Sequence, residues 1–126
     1  MKTANARRLA GFTLVEIMIV VAIIGLLAAI AIPNFVRSRA TSQANACINN
    51  LRQIESACQQ VAIAKNLAAG ATITFPDDVT PYIKLNSAGF IPPCPAGGTY
   101  SLLPVGQNPQ SQCSLGSTVT PSHILP

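Results

Sequence analysis

One long apolar run dominates the beginning of the chain. From Phe12 to Ile32 the only charged residue is Glu16. A helix needs about 20 apolar residues to cross the hydrocarbon core of a bilayer, because each residue adds about 1.5 Å along its axis. The pattern therefore predicts a membrane-spanning helix, with an acidic side chain near its start that an ordinary membrane anchor does not need.

After Pro33 the pattern changes from uniformly apolar to amphipathic. Apolar residues recur at alternating spacings of four and three, which is typical of a helix with one buried face. This seam consists of Ala40, Ala44, Cys47, Leu51, Ile54, Cys58 and Val61. We therefore expect one helix from Phe12 to about Leu67, kinked at Pro33 and ending before Gly70, whose seam packs against the rest of the chain.

The remaining residues predict a small antiparallel sheet. Residues 98–103 and 112–115 are expected to pair, residues 71–75 to add a strand, and residues 123–125 to form a last short one. Residues 76–83 predict a capped turn followed by a helical turn. The expected fold class is α+β: a long amino-terminal helix, membrane-spanning in its first half and amphipathic in its second, packed on a sheet of three or four strands.

Length and charge limit the function classes. Of 126 residues, about ninety follow the apolar run, which is enough for one small domain. The net charge is +4, but Lys2, Arg7 and Arg8 precede Gly11, and without them five basic and four acidic side chains remain. Because no basic stripe with interleaved aromatic residues is present, nucleic-acid binding has no support in the composition.

A specific motif stands at the head of the apolar run. Gly11 is followed by Phe12 and, four residues later, by Glu16, and the run continues through Gly25 to Pro33. This pattern resembles the type IV pilins and the pseudopilins of type II secretion, closely over roughly residues 7–54. The resemblance implies a pilin-like fold, cleavage after Gly11 by a prepilin peptidase, N-methylation of Phe12, and self-assembly into a helical filament.

The resemblance also implies a division of the chain and a location. Residues 1–11 are expected to be a leader, residues 12–33 the membrane and assembly helix, and residues 34–126 the amphipathic helix with a small β domain. The basic leader predicts a cytoplasmic amino terminus and a domain outside the inner membrane. The expected partners are membrane lipid, an inner-membrane assembly platform and, in a periplasmic or cell-surface filament, other copies of the chain.

Glu16 has two interpretations. A carboxylate in hydrocarbon is costly unless it is paired, and cleavage after Gly11 creates a positive α-amino group at Phe12. That amine lies one turn from Glu16 within a helix, and between staggered subunits the same two charges can fix the axial register. Alternatively, the carboxylate lies at the membrane interface or caps the start of the helix. The motif favours the assembly role.

Gly25 and Pro33 interrupt the run. For a monomer we expect a bend at Pro33, because proline removes a hydrogen bond from a helix interior. The resemblance implies a second role, in which the segment between Gly25 and Pro33 extends when subunits pack into a filament. Both roles remain open from the sequence.

Four cysteines in a small exported domain suit an oxidising compartment. Cys47 and Cys58 lie about 16 Å apart along one helix, which is too far for a disulfide. We expect a bridge between Cys94 and Cys113, because the predicted hairpin brings them together, with Cys47 and Cys58 as free buried thiols. A bridge from each helix cysteine to one of the other two remains the alternative.

Candidate chemistry outside the motif is sparse. His123 is the only histidine, and without a neighbouring acid or nucleophile pattern it is expected to be solvated or at a strand edge. Asp77 and Asp78 are expected to cap a turn, since calcium needs more oxygen ligands than they supply. No cofactor or metal is predicted, and an enzyme on a membrane stalk has no support.

The leading prediction is therefore a non-enzymatic filament subunit. A single-pass anchor presenting a small extracytoplasmic domain is the alternative, and the Gly11–Glu16 motif disfavours it because an anchor would tolerate Leu in place of Glu16. A conductive filament finds no support, because Phe12 and Phe35 are the only aromatic residues of the long helix.

Overall fold

The computed structural model describes residues 11–126, and its main element is one long helix. This helix, α1, runs over Leu14–Ala64 and continues through Pro33. Thr13 caps its start, since the Thr13 Oγ1 accepts a hydrogen bond from the Glu16 N–H at 3.2 Å and the Glu16 carboxylate accepts one from the Thr13 N–H at 3.3 Å. The N–H groups of Thr13 and Glu16 have no acceptor within the helix, and each finds one in the side chain of the other residue. The prediction of a single helix is confirmed, with bounds two and three residues shorter than expected.

The first compact unit is described from Gly11 to Val36 and consists of the apolar part of α1. An 18-residue window in this helix has a mean hydropathy of 2.9, and none of its residues is buried. By length and composition the helix can cross a membrane, as the sequence predicts.

The second compact unit comprises Arg37–Pro126 and buries one face of the remaining helix. Ala40, expected in the seam, is only partly buried, whereas Ala57 joins the buried face. The residues of α1 that are buried are Ala44, Cys47, Leu51, Ile54, Ala57, Cys58 and Val61. Two residues after the end of α1, Asn66 adopts a left-handed φ of 52°, and the Leu67 N–H donates to the Ala62 carbonyl at 2.8 Å.

Two short strands form the sheet of the second unit. β1 (Tyr100–Leu102) and β2 (Ser111–Cys113) pair antiparallel, with Tyr100 opposite Cys113 and Leu102 opposite Ser111. The predicted helical turn is a 3-10 helix over Thr80–Tyr82. The α+β class with a long helix and a small antiparallel sheet is confirmed.

The prediction of three or four strands is wrong for the described residues, which form two strands. In residues 71–75 the Thr74 N–H donates to the Asp78 carboxylate at 3.1 Å instead of to a neighbouring strand, and the following Pro76 has no N–H to give. Near the end of the chain the His123 N–H donates to the Gly116 carbonyl at 2.8 Å and joins no ladder. Local side-chain and turn bonds therefore replace most of the two expected strands, and only Gly70 and Ala71 keep backbone hydrogen bonds to Val105, each at 2.8 Å.

The hairpin is attached to α1 by a carboxylate. Glu55 accepts hydrogen bonds from the Gln110 N–H at 3.1 Å, the Ser111 N–H at 2.9 Å and the Ser111 hydroxyl at 2.9 Å. The Ser111 Oγ also lies 3.1 Å from the Leu51 carbonyl, so that its single proton is shared between this carbonyl and the Glu55 carboxylate. These bonds hold the first residue of β2 against the middle of the buried helix face.

The core of the second unit has two parts. The larger cluster surrounds the end of α1 and consists of Ile54, Ala57, Cys58, Val61, Ile73 and Val79. The smaller cluster consists of Cys47, Leu51, Cys94 and Cys113. Three of its four buried members are cysteines, and Leu115 and Leu125, which pack against them, are only partly buried. The smaller cluster therefore buries less aliphatic surface than the larger one.

Candidate functional site

The amino-terminal motif begins in non-helical backbone. Gly11 and Phe12 precede the first residue of α1, and the Phe12 side chain is 81% exposed. A Cβ built on Gly11 would meet no atom within 4 Å. The peptide bond between these two residues is therefore accessible from all sides within the described part of the chain.

Glu16 takes part in the cap of α1 through one oxygen. Its Oε2 accepts from the Thr13 N–H at 3.3 Å and lies 3.4 Å from the Thr13 hydroxyl. Among residues 11–126 no hydrogen bond is made to Oε1. The capping role considered from the sequence is thus present, and it leaves one carboxylate oxygen for another partner.

Gly25 and Pro33 both lie inside α1. A Cβ added at Gly25 would meet open space, so no close packing within the described residues requires glycine there. Their roles in assembly stay predictions.

A second candidate site lies in the smaller core cluster, where Cys47, Cys94, Cys113 and His123 converge. Their sulfur and ring nitrogen atoms all lie within 4.8 Å of one another, and all four residues are buried. The Cys94 Sγ and the His123 Nδ1 are 3.4 Å apart. This is a donor set that transition-metal ions bind.

Each of the four side chains comes from a different part of the second unit. Cys47 projects from α1, Cys94 from the loop before β1, Cys113 from the end of β2, and His123 from the segment after it. The prediction that His123 is solvated or at a strand edge is wrong, because its side chain is 3% exposed. Its burial depends on the return of the chain after β2, which has no periodic pattern to reveal it.

The cysteines are free thiols. Cys94 and Cys113 meet as the sequence predicts, but the structure contains no disulfide between them. Cys47 belongs to the same cluster, whereas Cys58 lies in the larger apolar cluster. Cys58 therefore behaves as the expected small hydrophobe, whereas Cys47 has the thiol neighbours that the alternative pairing allows.

The surroundings shift the pKa values of these thiols in different directions, upward at Cys47 and Cys58 and downward at Cys94. Burial, with hydrogen bonds to Cys94 and Cys113, raises the pKa of Cys47 to about 12. Burial also raises the pKa of the Cys94 thiol, but hydrogen bonds from the backbone N–H groups of Ala96 and Gly98 outweigh it and leave that pKa below its ordinary value. Burial, followed by the nearby Glu55 carboxylate, raises the pKa of Cys58 to about 11.

The turn Cys94-Pro95-Ala96-Gly97-Gly98 builds this environment. The Gly97 N–H donates to the Cys94 carbonyl at 2.9 Å, and Gly97 has a left-handed φ of 86°, which favours glycine. A Cβ on Gly98 would lie 2.6 Å from the Cys113 sulfur, so glycine is required for that close approach. This Cys-Pro-x-Gly-Gly pattern is the signal in the sequence that marks Cys94 as more than a hairpin cysteine.

Asp78 has a structural role. Its carboxylate pairs with Lys65 and accepts from the Thr74 N–H at 3.1 Å. The hydrogen bond from Lys65, with that from Thr74, lowers the pKa of Asp78. The expectation of a turn-stabilising aspartate agrees with these contacts.

Comparisons with known proteins bear on the amino-terminal motif. Residues 6–32 match the family model described as the prokaryotic N-terminal methylation motif. The chain is 57% identical over 47 residues to the type IV major pilin protein PilA of Myxococcus xanthus, a match that covers 37% of this chain and 21% of that protein. It is 41% identical over 63 residues to a fimbrial protein of Pseudomonas aeruginosa, covering 49% and 41% of the two chains.

A third similarity is weaker but longer. The chain is 26% identical over 110 residues to the type II secretion system core protein G of Aeromonas hydrophila, covering 80% of this chain and 77% of that protein. The chain thus matches less than half the length of the pilin and the fimbrial protein. No solved structure gives a significant match. The start of the chain therefore carries the prokaryotic N-terminal methylation motif, and the resemblance to type IV pilins and type II secretion pseudopilins that its residues indicate is confirmed.

Proposed function

We propose that this chain is a structural subunit of a type IV pilus-like or type II secretion pseudopilus filament, cleaved after Gly11 and assembled through α1. The observation that carries the proposal is the methylation motif over residues 6–32. This motif stands at the start of α1, and none of the residues in the most apolar stretch of that helix is buried. The role is assembly, with no enzymatic activity of its own.

The exposed apolar helix needs two environments at different stages. Before assembly, its side chains over residues 14–32 lie in lipid, where an apolar surface is stable in every direction. In a filament, the same side chains pack against helices of other copies, so little apolar surface enters water during the transfer. The second unit buries its own seam and stays outside the bundle of helices.

Glu16 supplies the polar step of assembly. Cleavage after Gly11 leaves a positive α-amino group on Phe12. Since Oε2 already caps α1 through Thr13, Oε1 is available to accept from the amine of a neighbouring subunit. A charge pair shielded from water holds two subunits in one axial register, because a shifted subunit would leave both charges unpaired in hydrocarbon.

Processing and location follow from the same motif. A prepilin peptidase cuts between Gly11 and Phe12, and methylation then modifies the Phe12 amine. The domains are a leader over residues 1–11, a membrane and assembly helix over residues 12–33, and an amphipathic helix with the β hairpin over residues 34–126. The subunit enters the filament from the inner membrane, at an assembly platform, and ends in the periplasm or at the cell surface.

The flexible part of the assembly helix is the segment between Gly25 and Pro33. Pro33 donates no backbone hydrogen bond, and glycine lowers the cost of leaving helical geometry at the other end. This segment extends when neighbouring subunits require a longer span. In the structure of the single chain it is helical.

The long match to core protein G favours a secretion pseudopilus. An alignment that covers 80% of the chain extends beyond α1, which ends at Ala64, into the second unit. The matches to the pilin and the fimbrial protein cover less than half of the chain. The second unit therefore supports the secretion-type assembly more than an adhesive pilus.

Glu16→Gln tests the charge pair, with Thr13→Val as the matched control. Glutamine can replace glutamate in the helix cap but carries no charge, whereas Thr13→Val removes the capping hydroxyl and keeps the charge. In cells with the complete assembly machinery, we expect Glu16→Gln to be processed normally and to lower the yield of sheared filaments by about tenfold or more, as expected for breaking a shielded ion pair. Thr13→Val is expected to assemble.

Normal filament yield from Glu16→Gln would refute the charge-pair mechanism. Intact-mass measurement of the chain purified from the same membranes tests the subunit assignment separately. We expect a chain that begins with methylated Phe12, whereas a simple membrane anchor would keep residues 1–11. The two readouts distinguish failure of the mechanism from failure of the proposed function.

A further inference from the structure

We propose that Cys47, Cys94, Cys113 and His123 form a structural zinc site that holds the second unit together. The three sulfur atoms and the ring nitrogen already lie within 4.8 Å of one another in a buried cluster. Three cysteines and one histidine are a common ligand set for structural zinc. This site is separate from the amino-terminal motif and independent of its role in assembly.

The spacing of the four donor atoms suits a tetrahedral ion. With Zn–S bonds of about 2.3 Å and Zn–N bonds of about 2.0 Å, neighbouring donor atoms lie roughly 3.5–3.8 Å apart. The observed 3.4 Å between the Cys94 Sγ and the His123 Nδ1 is close to the lower end of this range. The other pairs of donor atoms are at most 4.8 Å apart, so that each pair is within about 1 Å of the distance that a tetrahedral ion requires.

Polar residues on α1 hold the Cys94 loop beside Cys47. The Gln43 side chain donates to the Pro95 carbonyl at 3.2 Å, and the Asn50 side chain donates to the Pro92 carbonyl at 3.3 Å. These two residues flank Cys47 on the same helix face, one turn before it and one turn after it. Pro92 and Pro95, whose carbonyls accept these bonds, lie two residues before and one residue after Cys94. Cys47 and Cys94, which are distant in the sequence, are therefore held close together before any ion binds.

The turn after Cys94 leaves room for the sulfur atoms to approach one another. The absence of a side chain at Gly98 admits the Cys113 sulfur, which would lie 2.6 Å from a Cβ there. Gly97, with its left-handed φ of 86°, allows the tight turn between Cys94 and Gly98.

The ligand count indicates a structural ion. Four protein ligands fill a tetrahedral shell and leave no position for a substrate or water. The ion would join α1, the Cys94 loop, β2 and the segment that contains His123. Leu51 is the fully buried aliphatic side chain of this cluster, whereas Leu115 and Leu125, packed against it, are only partly buried. Small domains with thin cores commonly need such a cross-link. A Cys94–Cys113 disulfide is the competing cross-link, because it would consume two of the ligands.

Metal content of the full-length chain tests this proposal. The protein is extracted from membranes in detergent and washed free of weakly bound ions. We expect inductively coupled plasma mass spectrometry to find about one zinc ion per chain. Cys113→Ala and His123→Phe are expected to lower this content by about tenfold. Cys58→Ala is the matched control, since Cys58 is fully buried on the same helix but lies in the larger cluster, and it should keep the zinc.

A ligand exchange guards against variants that only misfold. His123→Cys replaces nitrogen by a fourth sulfur and should keep about one ion per chain, and substitution with Co²⁺ should then give a tetrahedral spectrum with stronger sulfur charge-transfer absorption than in the parent chain. Absence of zinc from the parent chain, or a Cys94–Cys113 crosslink in its non-reduced digest, would overturn the proposal. Equal loss of zinc in Cys58→Ala would also count against it.

Discussion

Residues 14–36 and residues 37–64 belong to the same helix, yet their apolar side chains have opposite surroundings. Leu26, in the first part, is 66% exposed, whereas Leu51, in the second, is fully buried. The first part is apolar on every side and the second on one face only. The width of the apolar surface, more than its hydrophobicity, determines whether a helix packs against its own chain or stays available to lipid and to other copies.

The two glutamates of α1 differ in the same way. Glu16 bonds to Thr13, three residues before it, whereas Glu55 bonds to Gln110 and Ser111, more than fifty residues away. One carboxylate caps a helix and keeps an oxygen free, and the other joins a helix to a hairpin. An identical side chain therefore serves either the cap of α1 or the internal packing of the second unit, depending on which part of α1 carries it.

The largest loss of stability is expected when the buried leucine of α1, rather than the exposed one, is shortened. Leu51→Ala removes a fully buried side chain from the smaller cluster and is expected to lower the free energy of unfolding by about 2–4 kcal/mol. Leu26→Ala, at an exposed site, is expected to change it by less than about 0.5 kcal/mol. Denaturant unfolding of the detergent-solubilised chain measures both, and equal effects would contradict the division between the two parts of α1.

The next largest effect is expected from replacing Glu55, which joins α1 to the hairpin, rather than Glu16. Glu55→Ala leaves the Gln110 and Ser111 N–H groups without their acceptor and is expected to lower the free energy of unfolding by about 2–3 kcal/mol. Glu16→Gln should leave the unfolding of the second unit unchanged, because its bonds are confined to the start of α1. Thermal melts followed by near-ultraviolet circular dichroism, to which Tyr82 and Tyr100 of the second unit contribute, test this. An equal loss of stability in Glu16→Gln would contradict the difference between the two glutamates.

The smallest expected effect concerns the ion pair beyond the end of α1. The hydrogen bond from Lys65 lowers the pKa of Asp78, so this carboxylate stabilises the fold fully above its unfolded pKa of about 4 and loses that contribution as the pH falls through the lower folded value. Asp78→Asn is expected to flatten this acidic part of the stability profile slightly. Melting temperatures of both proteins between pH 6 and about pH 2 measure the difference. Parallel profiles would show that Asp78 contributes nothing to the pH dependence.

The sequence predicts the helix well because its pattern is local and repeated. Leu51, Ile54 and Val61 recur at helical spacing, and each occurrence supports the same buried face. Residues 71–75 fail as a strand because Asp78 takes the Thr74 N–H, a competition that strand propensity does not contain. Propensity predicts which backbone shape is possible, and the side-chain contacts determine whether a partner strand exists.

For the cysteine cluster too, the sequence predicts the local pairing of residues but not the contacts between distant segments. The hairpin brings Cys94 towards Cys113, as the sequence predicts, because strand pairing requires only short-range information. Cys47 and His123 join through the packing of α1 and the turn bond between His123 and Gly116, which no spacing of residues encodes. Motif spacing therefore identifies the amino-terminal site, whereas the second site becomes visible only when four distant segments are placed together.

The reciprocal cap between Thr13 and Glu16 has a consequence for the order of events in biogenesis. Both residues lie after the Gly11–Phe12 bond, and the first backbone hydrogen bond of the helix, from the Ile17 N–H to the Thr13 carbonyl, also lies after it. Among the described residues, therefore, no hydrogen bond of α1 involves a residue before Thr13. In the processing proposed above, the cut would change the charge near this helix end and would leave the described contacts of its cap in place.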